Sequence, residues 1–194
     1  VKLVAQATAS WLKGRGGSKV VIGYDCRFGG VLFTEAATQV FGANGIKVVM
    51  HTHFVSTPMV SLGVVRTGAD VGVVITASHN PPSYNGFKLK SNLGGPMVPS
   101  EVSEVEALIG TPVPATLPSL EEMKAGGLLE YVDLEKIYLD HVAANFDLAA
   151  IRKANIKVAY DAMYGAGQDA MRKLLPDAVL LHCDFNPSFR GQAP

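Results

Sequence analysis

The sequence predicts an α/β fold, a three-layer αβα sandwich with a mostly parallel or mixed sheet, followed by an incomplete second α/β domain. Two observations carry this prediction. Short runs rich in valine and isoleucine alternate with helical patterns in the order βαβαβ over the first 75 residues. The same alternation then restarts near residue 156. Alternating strands and helices of this kind build parallel sheets with helices on their faces.

The first part of the chain contains three strong strand patterns. The predicted elements are a helix over residues 2–12, a strand over 19–24, a helix over 29–41, a strand over 46–51, a helix over 57–67 and a strand over 71–75. Each strand is a nearly continuous apolar run, which is typical of a parallel strand buried on both faces. Thr57 and Pro58 are expected to begin the last of these helices, with the threonine hydroxyl as its cap, and Gly68 to end it.

The rest of the chain is predicted from weaker patterns. We expect a strand over residues 86–90, a helix over 100–109, irregular chain over 110–127 with a candidate turn of helix at 120–125, a helix over 133–149, a strand over 156–160, a helix over 167–175 and a strand over 178–182. This gives a first domain over 1–132, a linking helix over 133–150 and the beginning of a second domain over 151–194. About forty residues are too few for an independent core, so we expect these residues to be a piece of a longer protein.

Composition excludes several classes of protein. The formal charge is zero, with 17 basic and 17 acidic residues, and no basic block points to nucleic acid. No apolar run approaches the roughly 18 residues of a membrane span. The first residues lack the pattern of a signal peptide. Cys26 and Cys183 are expected to be reduced, which favours a cytoplasmic protein.

A polar loop follows the third predicted strand, and it presents a serine. Ser78, His79 and Asn80 come after the apolar run, and two successive prolines then end any strand. In α/β sheets, ligands bind at the carboxyl ends of the strands. The G-x-S-x-G nucleophile elbow of acyl hydrolases is absent, and the side chains of Ser78 and His79 are expected to diverge, so hydrolysis is disfavoured. Phosphoryl transfer needs positioning and charge neutralisation instead.

This loop also carries a resemblance to a known family. Residues 76–81, Thr-Ala-Ser-His-Asn-Pro, followed by Asn-Gly-Phe-Lys at 85–88, resemble the phosphoserine loop of the α-D-phosphohexomutases. The resemblance implies that Ser78 carries the phosphoryl group exchanged with a hexose phosphate, and that Lys88 is a candidate general acid/base. His79 and Asn80 would contact phosphate or shape the loop, His79 as part of the catalytic set. The reaction implied is interconversion of hexose 1-phosphate and 6-phosphate through a hexose 1,6-bisphosphate.

The resemblance covers only the first and part of the second of four family domains. It implies Mg²⁺ bound by an oxygen of the phosphoserine and by an Asp-x-Asp-x-Asp loop, yet no such loop occurs in these residues. The family's sugar-recognition and carboxyl-terminal phosphate-binding loops are absent too. We therefore expect these residues alone to be inactive. An inactive domain that binds phosphate or a partner stays open as an alternative.

Arg27 lies after the first strand, on the same predicted rim as Ser78. It either pairs with Asp25 and braces the site, or faces the phosphate directly. A second alternative concerns the segment from Gly165 to Ala170, which fits the dinucleotide pattern G-x-G-x-x-A and is followed by Asp184. A loop separates the strand from Gly165, which makes this turn looser than the pattern requires.

Overall fold

A computed structural model describes residues 1–192 of the 194-residue chain. Its helices are α1 (Lys2–Gly14), α2 (Gly30–Ala43), α3 (Thr57–Thr67), α4 (Pro99–Ala107), α5 (Leu120–Ala125), α6 (Leu134–Asn145), α7 (Leu148–Lys153) and α8 (Gln168–Leu174). Its strands are β1 (Lys19–Tyr24), β2 (Lys47–Met50), β3 (Val71–Ile75), β4 (Phe87–Lys90), β5 (Leu129–Tyr131), β6 (Ala159–Asp161) and β7 (Val179–Leu181). The α/β class and the βαβαβ order predicted from the sequence are confirmed.

Five strands form one mixed sheet in the order β4-β3-β1-β2-β5. Strands β3, β1, β2 and β5 are parallel, and β4 pairs antiparallel with β3 at the edge. The sequence did not predict β5, which has only three residues and lies at the opposite edge beside β2. Because the parallel strands run in the same direction, the segments that follow β1 and β3 leave the sheet side by side.

Helices cover both faces of this sheet and make three layers. Alternate residues of β1 and β3 pack on opposite faces, as the two-residue period of a strand requires. One core joins the strands to helices α1, α2, α4 and α5, with Phe41 and Ile22 fully buried. The other core joins them to α3 and α6, with Val60 and Leu134 fully buried. Strands buried on both faces explain why their sequences are continuous apolar runs.

Helix α3 begins where the sequence predicts, but without the predicted cap. Thr57 and Pro58 are the first helical residues, and Ser56 precedes them in an extended conformation. No side-chain hydrogen bond caps this helix, so the predicted capping role of the Thr57 hydroxyl is wrong. Gly68 ends the helix in the left-handed conformation, as predicted.

The predicted helix over residues 133–149 is wrong as a single element. Helix α6 ends at Asn145, Phe146 is extended at φ −125° and ψ 136°, and α7 begins at Leu148. Asp147 causes the break, because its carboxylate accepts a hydrogen bond of 2.8 Å from the Ala150 amide and caps a new helix. Helix α6 itself packs against α3, so it covers the first sheet instead of standing free between two units.

The second unit is small within the described residues. Strands β6 and β7 form a two-stranded parallel sheet, flanked by α7 and α8. It contacts the first unit through stacked rings of Phe54 and Phe185, whose centroids lie 5.9 Å apart, and through an ion pair between Glu135 and Lys173. None of the helices described in residues 1–192 is long and apolar enough to span a membrane.

Gly86 lies where β3 and β4 meet beneath the serine loop. The Thr76 amide donates a 3.0 Å hydrogen bond to the Gly86 carbonyl, and a Cβ at Gly86 would lie 2.9 Å from the Thr76 carbonyl oxygen. A backbone atom cannot move aside as a flexible side chain can. We therefore expect Gly86→Ala to lower the free energy of unfolding by about 2 kcal/mol, measured by urea denaturation.

Gly95→Ala is the matched control for this substitution. A Cβ at Gly95 meets no atom within 4 Å, so this variant should unfold at nearly the wild-type urea concentration. Equal midpoints for the two variants would show that the approach of Gly86 to Thr76 does not constrain the base of the loop.

Candidate active site

Ser78 stands on an exposed loop directly after the buried strand β3. Its backbone is left-handed at φ 57°, a conformation that is uncommon for a residue with a side chain. Its amide donates a 3.1 Å hydrogen bond to Thr76 Oγ1. The chain therefore turns sharply at Ser78 and leaves the hydroxyl exposed to solvent.

Asp25 ties the ends of β1 and β3 together beneath this turn. Its amide donates to the Ile75 carbonyl at 3.1 Å, which continues the pairing of the two strands. Thr76 Oγ1 donates to Asp25 Oδ2 at 2.5 Å, and Asp25 Oδ1 accepts from the Arg27 amide at 3.0 Å. The hydroxyl that accepts from the Ser78 amide thus itself donates to the Asp25 carboxylate at the end of the neighbouring strand, so Thr76 acts within the loop.

Arg27 is buried beneath the loop, with 3% of its surface exposed. Its Nη1 donates to the carbonyls of Pro81 (2.8 Å) and Tyr84 (3.2 Å). Its Nη2 donates to the carbonyls of Ser78 (2.9 Å) and Asn80 (2.7 Å). The structure thus contains one guanidinium group that binds four backbone carbonyls of the serine loop.

The Arg27 geometry favours the bracing interpretation over direct phosphate contact. Arginine carries four N–H donors on its terminal nitrogens, and the four loop carbonyls use them. The remaining nitrogen, Nε, lies 3.4 Å from Asp25 Oδ2, which is the ion pair expected from the sequence. The four terminal N–H donors are thus occupied by the loop, and Nε, which makes no hydrogen bond among the described residues, is buried beside Asp25, so we assign Arg27 to positioning the loop.

His79 and Asn80 are both exposed beside Ser78. His79 Nδ1 lies 3.3 Å from Ser78 Oγ, so the expectation that these neighbouring side chains diverge is wrong. Successive side chains point to opposite sides in an extended backbone, and the backbone of Ser78 is left-handed instead. Asn80 contributes to the loop through its backbone, which donates to the Ala77 carbonyl and accepts from Arg27. Its side chain is open to solvent.

Lys88 lies in the edge strand β4, opposite Val74 of β3. Its side chain is exposed and, within residues 1–192, makes no hydrogen bond or ion pair. It lines a cavity of about 570 Å³ that includes Thr57, and Thr57 also lines the cavity beside Ser78. Lys88 therefore lines a second cavity that adjoins the one beside Ser78 at Thr57, and it does not line the Ser78 cavity itself.

The cavity beside Ser78 has a volume of about 460 Å³ and lies between the two units. The first unit contributes Asp25, Cys26, Arg27, Ser56, Thr57, Pro58, Thr76, Ser78 and His79, and the second contributes Ala162, Met163, Gly165, Ala166, Gly167 and Phe189. The sequence did not identify the contribution of the second unit. Residues 162–167 follow β6, and the carboxyl ends of strands are where α/β proteins bind ligands, so their place in the cavity could have been predicted from the sequence. No sequence pattern around Phe189 predicted that it would line the cavity.

Cys26 joins the two units at the base of this cavity. Burial, assisted by the carboxylates of Asp25 and Asp169, raises the pKa of its thiol to about 12. The amide of Gln168, at the start of α8, donates to the Cys26 sulfur at 3.6 Å and to the Gly165 carbonyl at 2.9 Å. The Cys26 thiol is therefore protonated and shielded from solvent, and α8 contributes to this shielding through Gln168.

The donor set for Mg²⁺ is incomplete in these residues. No three His, Cys, Asp or Glu side chains in the part of the chain that the structure describes converge on one point. Ser78 is exposed and offers one oxygen, whereas Mg²⁺ demands octahedral coordination by oxygen ligands, several of them water. The described residues do not form a magnesium site by themselves, and Ser78 remains their one candidate ligand from the sequence.

The segment from Gly165 to Ala170, which fits a dinucleotide pattern, lines the Ser78 cavity and is closely packed. Gly165 and Gly167 line the cavity that contains Ser78, and a Cβ at Gly167 would lie 2.3 Å from the Tyr160 hydroxyl. Two left-handed residues, Met163 and Tyr164, separate these glycines from β6, which confirms the loose turn noted in the sequence. Close packing within the second unit, against Tyr160 and the Ala162 carbonyl oxygen, accounts for the glycines without a nucleotide.

Comparison with known sequences gives consistent results over the whole chain. Residues 1–113 match the family profile "Phosphoglucomutase/phosphomannomutase, alpha/beta/alpha domain I", and residues 136–194 match the corresponding domain II. A Neisseria meningitidis serogroup B phosphoglucomutase is 32% identical over 99% of this chain and 40% of its own. A Haemophilus influenzae relative, whose name includes phosphomannomutase, is 30% identical over 92% of this chain and 37% of its own. The chain thus spans about two fifths of the length of these relatives.

Solved structures share the fold. A crystal structure from Thermus thermophilus, whose description includes phosphomannomutase, superposes with a TM-score of 0.87 at 31% identity, over 99% of this chain and 43% of the other. The open form of a Paramecium phosphoglucomutase superposes with a TM-score of 0.83 over 99% of this chain and 41% of the other, and at 20% identity it supports the fold alone. From the profile matches and the relatives together, the chain belongs to the phosphoglucomutase/phosphomannomutase family.

Proposed function

We propose that these residues are the phosphoryl-donor part of a phosphohexomutase, which interconverts hexose 1-phosphate and hexose 6-phosphate in the cytoplasm. The observation that carries the proposal is the presentation of Ser78. Its hydroxyl is exposed at the end of a buried strand, on a loop whose backbone is bound by Arg27, beside a cavity of about 460 Å³. Cavities of a few hundred Å³ accommodate small-molecule ligands.

The proposed reaction passes one phosphoryl group through Ser78. The bond between phosphorus and Ser78 Oγ breaks, and a bond forms between phosphorus and the free hydroxyl oxygen of the substrate. That hydroxyl loses its proton to a base, and Ser78 Oγ retains the electron pair and takes up a proton. The bisphosphate then returns its other phosphoryl group to Ser78 by the reverse steps. Ser78 is phosphorylated again at the end, and the phosphate on the sugar has moved from one hydroxyl to the other.

The neighbouring side chains supply charge and proton transfer in this proposal. His79 Nδ1 is 3.3 Å from Ser78 Oγ, at hydrogen-bonding distance from the oxygen where a proton is taken or given, and such distances shorten when substrate binds. Lys88, exposed in the adjoining cavity, is the candidate for neutralising phosphate charge and for general acid/base catalysis. The Asn80 amide is exposed on the same loop and is a candidate phosphate donor. A phosphoserine carries about −1.5 to −2 charges, so cationic partners are required.

Mg²⁺ belongs to the same proposal as a cofactor of the complete protein. An oxygen of phosphorylated Ser78 would be one ligand, and oxygen ligands outside these residues would complete the site. When bound, the ion would neutralise charge on the transferring group.

We propose only the class of substrate, a sugar phosphate, and not the particular sugar. Relatives of this chain have names that include phosphomannomutase, phosphoglucosamine mutase and phosphoribomutase, so a sugar phosphate is common to them while the sugar differs. The complete protein should therefore be assayed with the 1-phosphates of glucose, mannose, glucosamine and ribose, with and without Mg²⁺, and with a trace of the matching bisphosphate.

The expected result is Mg²⁺-dependent formation of the isomeric phosphate from at least one hexose 1-phosphate. The 194-residue chain alone should show no turnover under the same conditions. If the complete protein binds sugar phosphates but converts none of them and takes no phosphoryl group from a bisphosphate, the inactive binding domain is the correct interpretation. Conversion of ribose 1-phosphate only would contradict the hexose assignment.

A further inference from the structure

We infer that Phe189, in the second unit, is a positioning residue for the Ser78 loop and that it acts through Arg27. The inference rests on the proposed role of Ser78 as phosphoryl donor. It adds a physical connection by which the second unit controls the geometry of the donor loop in the first.

Phe189 covers the Arg27 guanidinium. The Phe189 ring is 5% exposed, and the guanidinium carbon of Arg27 lies 5.2 Å from its centroid. A cation within about 6 Å of an aromatic ring is attracted to it, and the attraction is larger when water is excluded. The same guanidinium donates to four carbonyls of the serine loop. Arg27 is therefore held between the ring of one unit and the loop of the other.

The segment around Phe189 is built to hold the ring in this place. Phe189 and Arg190 are both left-handed, at φ 50° and 51°. The Asn186 carbonyl accepts from the Phe189 amide at 3.0 Å, and Asn186 Oδ1 accepts from the Ser188 hydroxyl at 2.8 Å. Two successive residues keep a strained backbone conformation only where surrounding contacts hold them in it. The ring contact with Arg27 and these hydrogen bonds are such contacts.

Two other contacts between the units, among residues 1–192, do not include the loop. Phe185 stacks on Phe54, and Gln168 bonds to the Cys26 sulfur, but neither contact includes the guanidinium that binds the loop carbonyls. Loss of the Phe189 ring should therefore loosen the loop, while the second unit stays docked. This separation makes the inference testable without any measurement of catalysis.

The experiment measures amide hydrogen exchange in the complete protein, for wild type, Phe189→Leu, Phe189→Tyr and Phe185→Leu. The reporting amides are those of Asn80 and Tyr84, which bond to the Ala77 and Pro81 carbonyls inside the loop. Leucine keeps an apolar side chain but has no ring. We expect Phe189→Leu to speed exchange at these amides about tenfold, which corresponds to losing a buried cation–ring contact. Phe189→Tyr should restore slow exchange, and Phe185→Leu should leave it unchanged.

Alkylation of Cys26 checks that the second unit remains docked in each variant. Cys26 is 1% exposed, so it should react slowly with iodoacetamide at mildly alkaline pH in wild type and in Phe189→Leu alike. Wild-type exchange in Phe189→Leu would overturn the inference. So would faster exchange accompanied by rapid Cys26 alkylation, because the loop would then have loosened through undocking. Neither readout needs substrate, so failure of the mutase assay leaves this result interpretable.

Discussion

Ser78→Ala in the complete protein should reduce mutase turnover by at least about a thousandfold, as expected when an enzyme loses its nucleophile. The substitution removes the side-chain oxygen that carries the phosphoryl group in the proposed reaction. Positioning by Arg27 and charge neutralisation by Lys88 would remain, but there would be no covalent donor for them to assist. Initial rates with the preferred hexose 1-phosphate and its bisphosphate measure the effect.

The fold should tolerate this substitution. The Ser78 side chain is exposed, and alanine in the left-handed conformation is strained to a similar degree, so the free energy of unfolding should change by less than about 0.5 kcal/mol. Ser83→Ala is the matched control, because Ser83 is exposed in the same loop. It should keep wild-type turnover and should still accept one phosphoryl group by mass spectrometry. Full activity of Ser78→Ala would refute the proposed mechanism.

The strands and the position of the serine could be predicted from the sequence because local patterns determine them. Strands β1, β2 and β3 are buried on both faces, and this leaves a dense apolar run in the sequence that needs no knowledge of the partner strand. The loop at Ser78 follows from polar residues and prolines that cannot continue β3. Both features lie within a few neighbouring residues.

Features that depend on distant partners were missed or left open. Strand β5 has three residues and exists because β2 offers it an edge. The break at Phe146 occurs inside a continuing helical pattern, where the Asp147 cap prevails over periodicity. The choice between the two roles of Arg27 depended on carbonyls up to 57 residues away. No pattern along the chain shows which acceptors a buried guanidinium will meet.

Arg27→Ala is expected to have the second largest effect on activity, although the terminal N–H donors of Arg27 bind the loop and not the substrate. Four loop carbonyls would lose their buried partner, and Asp25 would lose its counterion. Hydrogen bonds from charged donors contribute more than neutral ones, but water can replace several at an exposed loop, so we expect a loss of about 3 kcal/mol in the free energy of unfolding. Lysine is a poor substitute, since a single ammonium cannot reach four divergent acceptors.

A bracing role and a phosphate-binding role predict different kinetics for Arg27→Ala. A displaced serine loop lowers the rate of every transfer through Ser78, so kcat should fall on the order of a hundredfold, as for a misplacement of about 1 Å. KM should stay near its wild-type value, because no donor to the substrate is lost. Arg66→Ala, at an exposed arginine of α3, is the control and should change neither parameter. A raised KM with unchanged kcat would instead place Arg27 on the substrate phosphate, and the hydrogen bonds to the loop would then have to break when substrate binds.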